Sequence, residues 1–226
     1  MTLGKRLALR FALFLPIFAA LLFVPAGSPR FWQGWLFLVI VAAGSLLPMC
    51  YFLRHDPRLL ERRMKSKEKT GAGRLFQRVW IPIWIAGLIL PGLDYRFGWS
   101  REFLAPMPLW LTIVSQGIVL GGYVLIFAVM RSNTFAAATI QVEEGQKVIS
   151  DGPYRIVRHP MYSGILMMAL FSAPALGSWI ALPVNALVIP VLVFRLVNEE
   201  KMLRQELPGY AEYCRRTRFR LLPGVY

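Results

Sequence analysis

Acidic residues, cysteines and charged positions of any kind are scarce in this sequence of 226 residues. Asp and Glu number 12 against 26 Lys and Arg, and only 17% of all residues are charged. The two lone cysteines, Cys50 and Cys214, do not make a metal site, so we predict no metal centre. The chain also has no internal repeat and no low-complexity tract, which excludes repeat architectures.

Hydrophobic residues take the place of the missing charge. They make up 56% of the chain and the mean hydropathy is +0.50, whereas soluble domains are roughly 45–50% apolar. The excess lies in several charge-free stretches, and a helix needs roughly 20 apolar residues to cross about 30 Å of hydrocarbon. The sequence therefore predicts an all-α, polytopic integral membrane helical bundle.

Five apolar stretches define the predicted membrane helices. The first four cover residues 11–26, 31–53, 79–93 and 109–130. The last, residues 165–197, is too long for one span and is interrupted by Gly177 and Ser178, so we interpret it as two helices in a tight hairpin. We therefore expect five to six transmembrane helices with a C-terminal helical hairpin, whose first helix is short and need not cross fully.

The basic residues alternate between the two sides of the predicted membrane. Nine Lys and Arg lie within residues 54–78, three precede the first span and another group follows Glu200. The opposite loops carry only Arg30, Arg96 and Arg101. By the positive-inside rule both termini are cytoplasmic, so the net charge of +14 reflects topology and does not indicate a nucleic-acid partner. Both cysteines then face the reducing cytoplasm, which disfavours a disulfide.

The first span follows Lys5, Arg6 and Arg10, as the apolar core of a signal peptide would. No small-x-small cleavage pattern precedes Phe31 and more spans follow, so we interpret it as a membrane helix. Polar content in the first four spans is of the kind that membrane helices use for packing. The adjacent Gly121 and Gly122 indicate a close contact between two helices.

The segment GPYRIVRHPMYSG, residues 152–164, places polar side chains at the start of the hairpin. Pro160 suits the first turn of a helix, with His159 just outside it and Arg158 beside it at the membrane surface. A helix entry has unpaired backbone donors that can hold an anion or a cofactor. The alternative is that His159 only caps the helix and Arg158 reaches to phosphate headgroups.

The far end of the hairpin carries Arg195, Glu199 and Glu200 in the segment FRLVNEEKML. Ionisable groups at the edge of the hydrocarbon are costly and need a partner or a purpose. Arg195 and Glu199 are four residues apart on one helix face, so a simple ion pair is one explanation. Because the hairpin returns the chain to its starting side, we also expect Tyr162 and Glu199 to line one shared cleft.

The tail, LPGYAEYCRRTRFRLLPGV, combines Tyr210 and Tyr213 with the basic cluster 215–220. This composition favours an amphipathic element at the membrane surface, near anionic headgroups. Closure of the tail over a bound ligand is the alternative.

The order and spacing of Gly-Pro-Tyr, Arg-His-Pro-x-Tyr-x-Gly and Glu-Glu resemble the isoprenylcysteine carboxyl methyltransferase family over residues 141–223. The family is related to the phospholipid N-methyltransferases, and the resemblance implies S-adenosyl-L-methionine bound on the cytoplasmic side. It also implies that residues 134–226 form the cofactor-binding region and that residues 1–133 shape a lipid-facing substrate cavity. The residues that match the family's cofactor contacts are Gln141, Gln146, Lys147, Val148, Ile149, Tyr154, His159, Pro160, Met161, Tyr162 and Glu199.

The family's substrate-contacting arginine matches Arg195. A carboxylate acceptor is already ionised and needs a cation and a dry site, which suits Arg195. An amine acceptor would be repelled by Arg195 and would need His159 or Glu200 as a base. We therefore take Arg195, His159 and Glu200 as candidate catalytic residues and expect carboxyl O-methylation of an isoprenylcysteine-like acceptor.

Three other functions fit many of the same residues. One is a phospholipid N-methyltransferase, another is a transporter or lipid-binding protein without chemistry, and the third is a reductase that uses a nicotinamide cofactor. No inverted repeat is visible and the ionisable residues cluster on one side, which argues against a transporter. The expected partners are membrane lipids and a lipophilic substrate that the sequence does not identify.

Overall fold

The computed structural model describes residues 2–64, 71–134 and 147–225, and within these ranges the chain forms helices and no β-strand. A single 3₁₀ turn, Gly152–Arg155, precedes the carboxy-terminal helices. The helices are α1 (Leu3–Ala26), α2 (Trp32–His55), α3 (Pro57–Met64), α4 (Gly71–Phe97), α5 (Trp99–Phe103), α6 (Leu109–Ser132), α7 (Pro160–Ala175), α8 (Ala181–Ala186), α9 (Val188–Glu206) and α10 (Tyr210–Arg216).

Five helices of the described chain are long and apolar enough to cross a membrane. They are α1, α2, α4, α6 and the continuous arm Ala181–Glu206, which joins α8 to α9. The sixth apolar helix, α7, has 16 residues and spans about 24 Å at 1.5 Å per residue. The prediction of a polytopic helical membrane protein with a short helix in a C-terminal hairpin is therefore confirmed.

The short helix α7 lies closely against α6 because two glycines face each other. A Cβ atom on Gly122 would lie 2.8 Å from the carbonyl oxygen of Gly164, and one on Gly164 would lie 3.0 Å from the oxygen of Gly122. Neither helix could carry a larger residue there without moving its neighbour. The interpretation of Gly122 as a close-contact position is confirmed.

The end of α7 inside the bundle is hydrogen-bonded by a side chain of α6. The amide of Gln116 donates to the carbonyl oxygen of Ala175 at 2.9 Å and to that of Gln33 at 3.2 Å. The last carbonyl groups of a helix have no partner within the helix, and in an apolar surrounding an unpaired one is costly. Gln116, only 2% exposed, therefore stabilises the termination of α7 at Ala175, inside the bundle.

The turn of the hairpin is tied to α4 by a buried carboxylate. Asp94, only 4% exposed, accepts hydrogen bonds from the backbone N–H of Ser100 at 2.7 Å and from the hydroxyl groups of Ser100 and Ser178. Ser100 in turn accepts from the N–H of Trp179 at 2.9 Å. These bonds join α4, α5 and the turn after α7. The turn is therefore held at one end of the bundle, and the start of α7 and the end of α9 both lie at the other end.

Candidate functional site

The polar segment before α7 adopts the local structure that its prolines predict. Residues 147–151 have no regular structure and the 3₁₀ turn Gly152–Arg155 follows. Pro160 occupies the first turn of α7 and His159 is its N-cap residue, without a side-chain capping bond. Proline fits this position because the first N–H groups of a helix have no partner within it. The predicted start of α7 is confirmed.

The tail of the chain lies along the start of α7. The backbone N–H groups of Arg158 and His159 each donate at 2.9 Å, to the carbonyl oxygens of Phe219 and Arg220. The hydroxyl of Ser163 donates to the carbonyl oxygen of Leu221 at 2.6 Å. These contacts pair the backbone N–H groups of Arg158 and His159 with the tail's own carbonyl oxygens, so these two donors are not free to hold an anion.

The two tail tyrosines are buried. Tyr210 and Tyr213 pack against Leu207 and Val148, and the Tyr213 hydroxyl donates to the carbonyl oxygen of Tyr154 at 2.8 Å. Burial raises the pKa of both phenols above the ordinary value, so they stay neutral. These two rings therefore pack inside the protein and not against headgroups, whereas the surface role predicted for the tail as a whole stays a prediction.

Two arginines and one histidine surround the carboxylate of Glu200. Its oxygens lie 2.7 Å from Arg158 Nε, 3.3 Å from His159 Nε2 and 3.2 Å from Arg220 Nε. Arg158 also donates to the carbonyl oxygens of Thr217 and Arg218, at 3.0 and 2.8 Å.

This cluster is buried, with Arg158 8% exposed and Glu200 4% exposed. The alternative in which Arg158 reaches to lipid headgroups is therefore wrong. Glu200, Arg158 and the tail carbonyls form an ionic clamp that fastens α7, α9 and the tail to one another.

Tyr162 connects the two other charged residues of α9. Its hydroxyl accepts from Arg195 Nε at 3.0 Å and donates to a carboxylate oxygen of Glu199. The guanidinium carbon of Arg195 lies 4.5 Å from the ring centroid of Phe76, close enough for a cation–π contact. Tyr162 at the start of α7 therefore lies beside Arg195 and Glu199 of α9, as expected from the return of the hairpin.

Two tyrosines, Tyr162 and Tyr154, interact with the carboxylate of Glu199. The rings of His159 and Tyr162 are stacked, with centroids 5.7 Å apart and planes 16° apart. Tyr154 interacts electrostatically with Glu199, and its hydroxyl accepts from Asn133 Nδ2 at 3.0 Å. Burial raises the pKa of Tyr154, so this phenol is also neutral.

The remaining residues predicted to contact a cofactor belong to α7 or to the segment before it, and they differ in exposure. Lys147 is exposed, Val148 and Ile149 are half-buried, and Pro160 is buried. Met161 is half-buried and packs among Phe52, Leu59, Leu60 and Met130. Gln141 and Gln146 lie outside the described residues, so their predicted contacts stay predictions.

Two residues near the site were not expected from the sequence. Arg63 of α3 donates from Nη1 to the sulfur of Met161 at 3.7 Å and interacts electrostatically with Tyr154. Phe76 of α4 lies under Arg195. Arg63 belongs to a run of basic residues that the positive-inside rule already explained. The only signal in the sequence that α3 packs inward is the apolar pair Leu59–Leu60.

An apolar cavity lies between the membrane helices, close to the residues that pack around Tyr162. Phe14, Phe37, Trp84 and Met168 are among its lining side chains, and the polar ones among the residues described are Tyr123, Ser172 and Asn185.

The cavity reaches the cluster through shared residues. Trp80 lines it and stacks on Phe76, with centroids 5.6 Å apart, while Ile165 and Val188 line it and pack against the group that contains Tyr162. A lipid tail in the cavity would therefore end near Arg195.

The family model of the isoprenylcysteine carboxyl methyltransferase (ICMT) family matches residues 111–205, which run from α6 through Glu199 and Glu200 to the end of α9. The chain is therefore similar to this family over somewhat less than half of its length. The match contains the described parts of the loop, the hairpin and the charged end of α9.

Two curated relatives show how far the similarity extends. Protein-S-isoprenylcysteine O-methyltransferase B of Arabidopsis thaliana is 31% identical over 135 residues, which cover 57% of this chain and 62% of that protein. Delta(14)-sterol reductase of Mus musculus is 30% identical over 155 residues, which cover 61% of this chain and 37% of that protein. The chain thus spans less than two thirds of the length of each of these relatives.

Proposed function

We propose that this chain is a member of the ICMT family and an S-adenosylmethionine-dependent membrane methyltransferase that methylates the carboxyl group of a lipophilic, isoprenylcysteine-like acceptor. The observation that carries the proposal is the Tyr162 hydroxyl, which links Arg195 to Glu199 beside an apolar cavity. One cation and one carboxylate thus stand at the point where an amphipathic acceptor and a polar cofactor would meet.

The residues around Glu199 fit a cationic cofactor. A half-buried carboxylate next to the rings of Tyr162 and Tyr154 suits a sulfonium and an ammonium group, because both the charge and the aromatic faces attract cations. When bound, S-adenosylmethionine supplies an electrophilic methyl group on its sulfonium. Glu199, Tyr162, Tyr154 and the segment 147–149 would hold it, together with the predicted contacts Gln141 and Gln146.

Arg195 would hold the carboxylate of the acceptor. A guanidinium binds carboxylates through a planar set of donors, and Arg195 is only 7% exposed, so water competes weakly with the acceptor there. The acceptor carboxylate is ionised at neutral pH and needs no base. Arg195 and Tyr162 then orient one carboxylate oxygen, and positioning of this kind can contribute up to roughly 7–11 kcal/mol.

The contacts of His159 and Glu200 favour a positioning role over that of a base. Glu200 is occupied by Arg158, His159 and Arg220, and His159 Nε2 also lies 3.5 Å from the Tyr210 hydroxyl. An amine acceptor would need one of these groups to accept its proton while Arg195 repelled its charge. These contacts support a carboxylate acceptor over an ethanolamine lipid, and the catalytic roles of His159 and Glu200 stay predictions.

The second candidate function is a sterol reductase. The similarity to Delta(14)-sterol reductase favours it, because that match covers 61% of this chain, and an apolar cavity suits a sterol as well as a prenyl chain. Such an enzyme would use a nicotinamide cofactor and would have no need for a cation that binds carboxylates. Arg195 therefore supports the methyltransferase.

The charge pattern supports a cytoplasmic site. Arg54, Arg58 and the basic residues after Glu200 lie at the same end of the bundle as the Tyr162 cluster, whereas Arg30 and Arg101 lie at the other end. The positive-inside rule then assigns the cluster and both termini to the cytoplasm.

The test uses the purified protein in lipid nanodiscs with S-adenosylmethionine carrying a tritiated methyl group. We expect label on an S-farnesylcysteine derivative that alkali releases as methanol, which identifies a methyl ester. Alkali-stable label on phosphatidylethanolamine would identify the amine methyltransferase instead. Oxidation of a reduced nicotinamide with a Delta(14)-unsaturated sterol, or no transfer to any acceptor, would overturn the proposal.

A further inference from the structure

Arg63 brings a cation from the first half of the chain to the cofactor side of the site. Its helix α3 buries Leu59 and Leu60 in a cluster with Phe52 of α2 and Met130 of α6, and Met161 of α7 packs against the same cluster. From there Arg63 Nη1 reaches the sulfur of Met161, 98 positions later in the chain, at 3.7 Å. The position of Arg63 is therefore set by packing and is not that of a mobile surface side chain.

The charges of the site follow one order from the cavity outward. Arg195 bonds to Tyr162, which bonds to Glu199. Glu199 interacts electrostatically with Tyr154, which interacts electrostatically with Arg63. One carboxylate is thus linked to two guanidinium groups, to that of Arg195 through Tyr162 and to that of Arg63 through Tyr154.

Two anionic groups can be held on the two sides of Glu199. Arg195 is connected to the cavity through Phe76 and Trp80, so it faces the acceptor. Arg63 instead contacts Met161 and interacts electrostatically with Tyr154, and both of these residues match cofactor contacts. S-adenosylmethionine carries an ammonium, a sulfonium and a carboxylate, and Glu199 can pair only with the first two.

We propose that Arg63 binds the carboxylate of the methionine part of the cofactor. This assignment rests on the proposed methyltransferase function and adds the residue that recognises the cofactor's anionic end. It gives the basic helix α3 a second role besides membrane topology. Arginine suits the task because its donors match both oxygens of a carboxylate.

The test compares two ligands by isothermal titration calorimetry on the full chain in nanodiscs. One is S-adenosylmethionine and the other is its decarboxylated analogue, which keeps the sulfonium and the ammonium. We expect Arg63→Gln to weaken binding of S-adenosylmethionine about tenfold or more, as loss of a charge-assisted bond does. The same variant should bind the decarboxylated analogue as the unchanged protein does, and Arg63→Lys should recover part of the lost affinity.

Arg58→Gln is the matched control, because Arg58 is an exposed arginine on the same helix. It should bind both ligands normally, which separates the effect of Arg63 from a general loss of positive charge. Circular dichroism melting of each variant shows that the fold is retained.

Equal weakening of both ligands by Arg63→Gln, or no weakening, would overturn the assignment. Equal weakening is also the result expected if Arg63 binds a lipid phosphate and only supports the fold. If the unchanged protein binds neither ligand, the proposed function itself fails, and the Arg63 assignment fails with it.

Discussion

Tyr162 donates a hydrogen bond to the carboxylate of Glu199, which lies 37 positions later in the chain and on the other arm of the hairpin. The same hydroxyl accepts from Arg195, so one oxygen joins the side proposed for the acceptor to the side proposed for the cofactor. The distance between these two sides therefore depends on how α7 packs against α9.

We expect Glu199→Ala to abolish binding of S-adenosylmethionine. Glu199→Gln keeps the shape and an acceptor for Tyr162 but loses the charge, so it should retain weak binding, reduced about tenfold or more. Calorimetric titration in nanodiscs measures both. Glu206→Gln, which changes an exposed carboxylate at the end of the same helix, should bind normally. Normal affinity in Glu199→Ala would show that the cofactor lies elsewhere.

We expect Arg195→Ala to reduce turnover of the prenylcysteine acceptor by about tenfold to a hundredfold, since a hydrogen bond to a charged group is lost. Cofactor affinity should stay largely intact, because Glu199 keeps the Tyr162 hydroxyl in place. Arg195→Lys should be intermediate. The measurements are steady-state methyl transfer and calorimetry, with the exposed Arg204→Gln as control. A parallel loss of turnover and cofactor affinity would argue against a separate acceptor role.

We expect Glu200→Gln to lower the free energy of unfolding by about 3–5 kcal/mol, because Arg158 would stay buried without its carboxylate. Glu212→Gln breaks the exposed pair with Arg216, and pairs of this kind contribute about 0–1 kcal/mol. Denaturant unfolding in detergent micelles compares the two. If Glu200→Gln lost turnover but kept full stability, Glu200 would be a base and not part of a clamp.

The apolar runs in the sequence predicted the membrane helices but not their ends. Helix α1 begins at Leu3, before the predicted start at residue 11, and α4 covers Gly71–Phe97 where residues 79–93 were expected. Hydropathy reports which residues suit hydrocarbon, whereas a helix continues as long as its hydrogen bonds do. Lys5 and Arg10 thus belong to α1 although both carry charge.

The sequence predicted that the segment around Tyr162 and the segment around Glu199 meet, but not which side chains bond to each other. A hairpin must return near its start, so Tyr162 and Glu199 were expected together. Glu199 and Glu200 are neighbours that point about 100° apart on a helix, and no pattern in the sequence indicates which one faces Arg158. Arg63 was missed for a similar reason, because only the apolar cluster that α3 shares with Met161 brings the two residues together.

The close contact between α6 and α7 should limit what residue 122 can be. In Gly122→Ala the new methyl group would lie 2.6 Å from Met168 Cγ and 2.8 Å from the carbonyl oxygen of Gly164. The side chain can turn away but the backbone oxygen cannot, so α7 must shift, at a cost of about 1–3 kcal/mol. We expect a lower melting temperature and weaker methyl transfer, because α7 carries Tyr162.

Gly117→Ala is the matched control on the same helix, since a Cβ there would meet nothing within 4 Å. It should be neutral or stabilising by up to about 1 kcal/mol, because alanine favours helix more than glycine does. Thermal melting and methyl-transfer rates of the two variants in the same detergent measure the difference. If Gly122→Ala matched Gly117→Ala in both, α7 would not need its close approach to α6 to place Tyr162 beside Glu199.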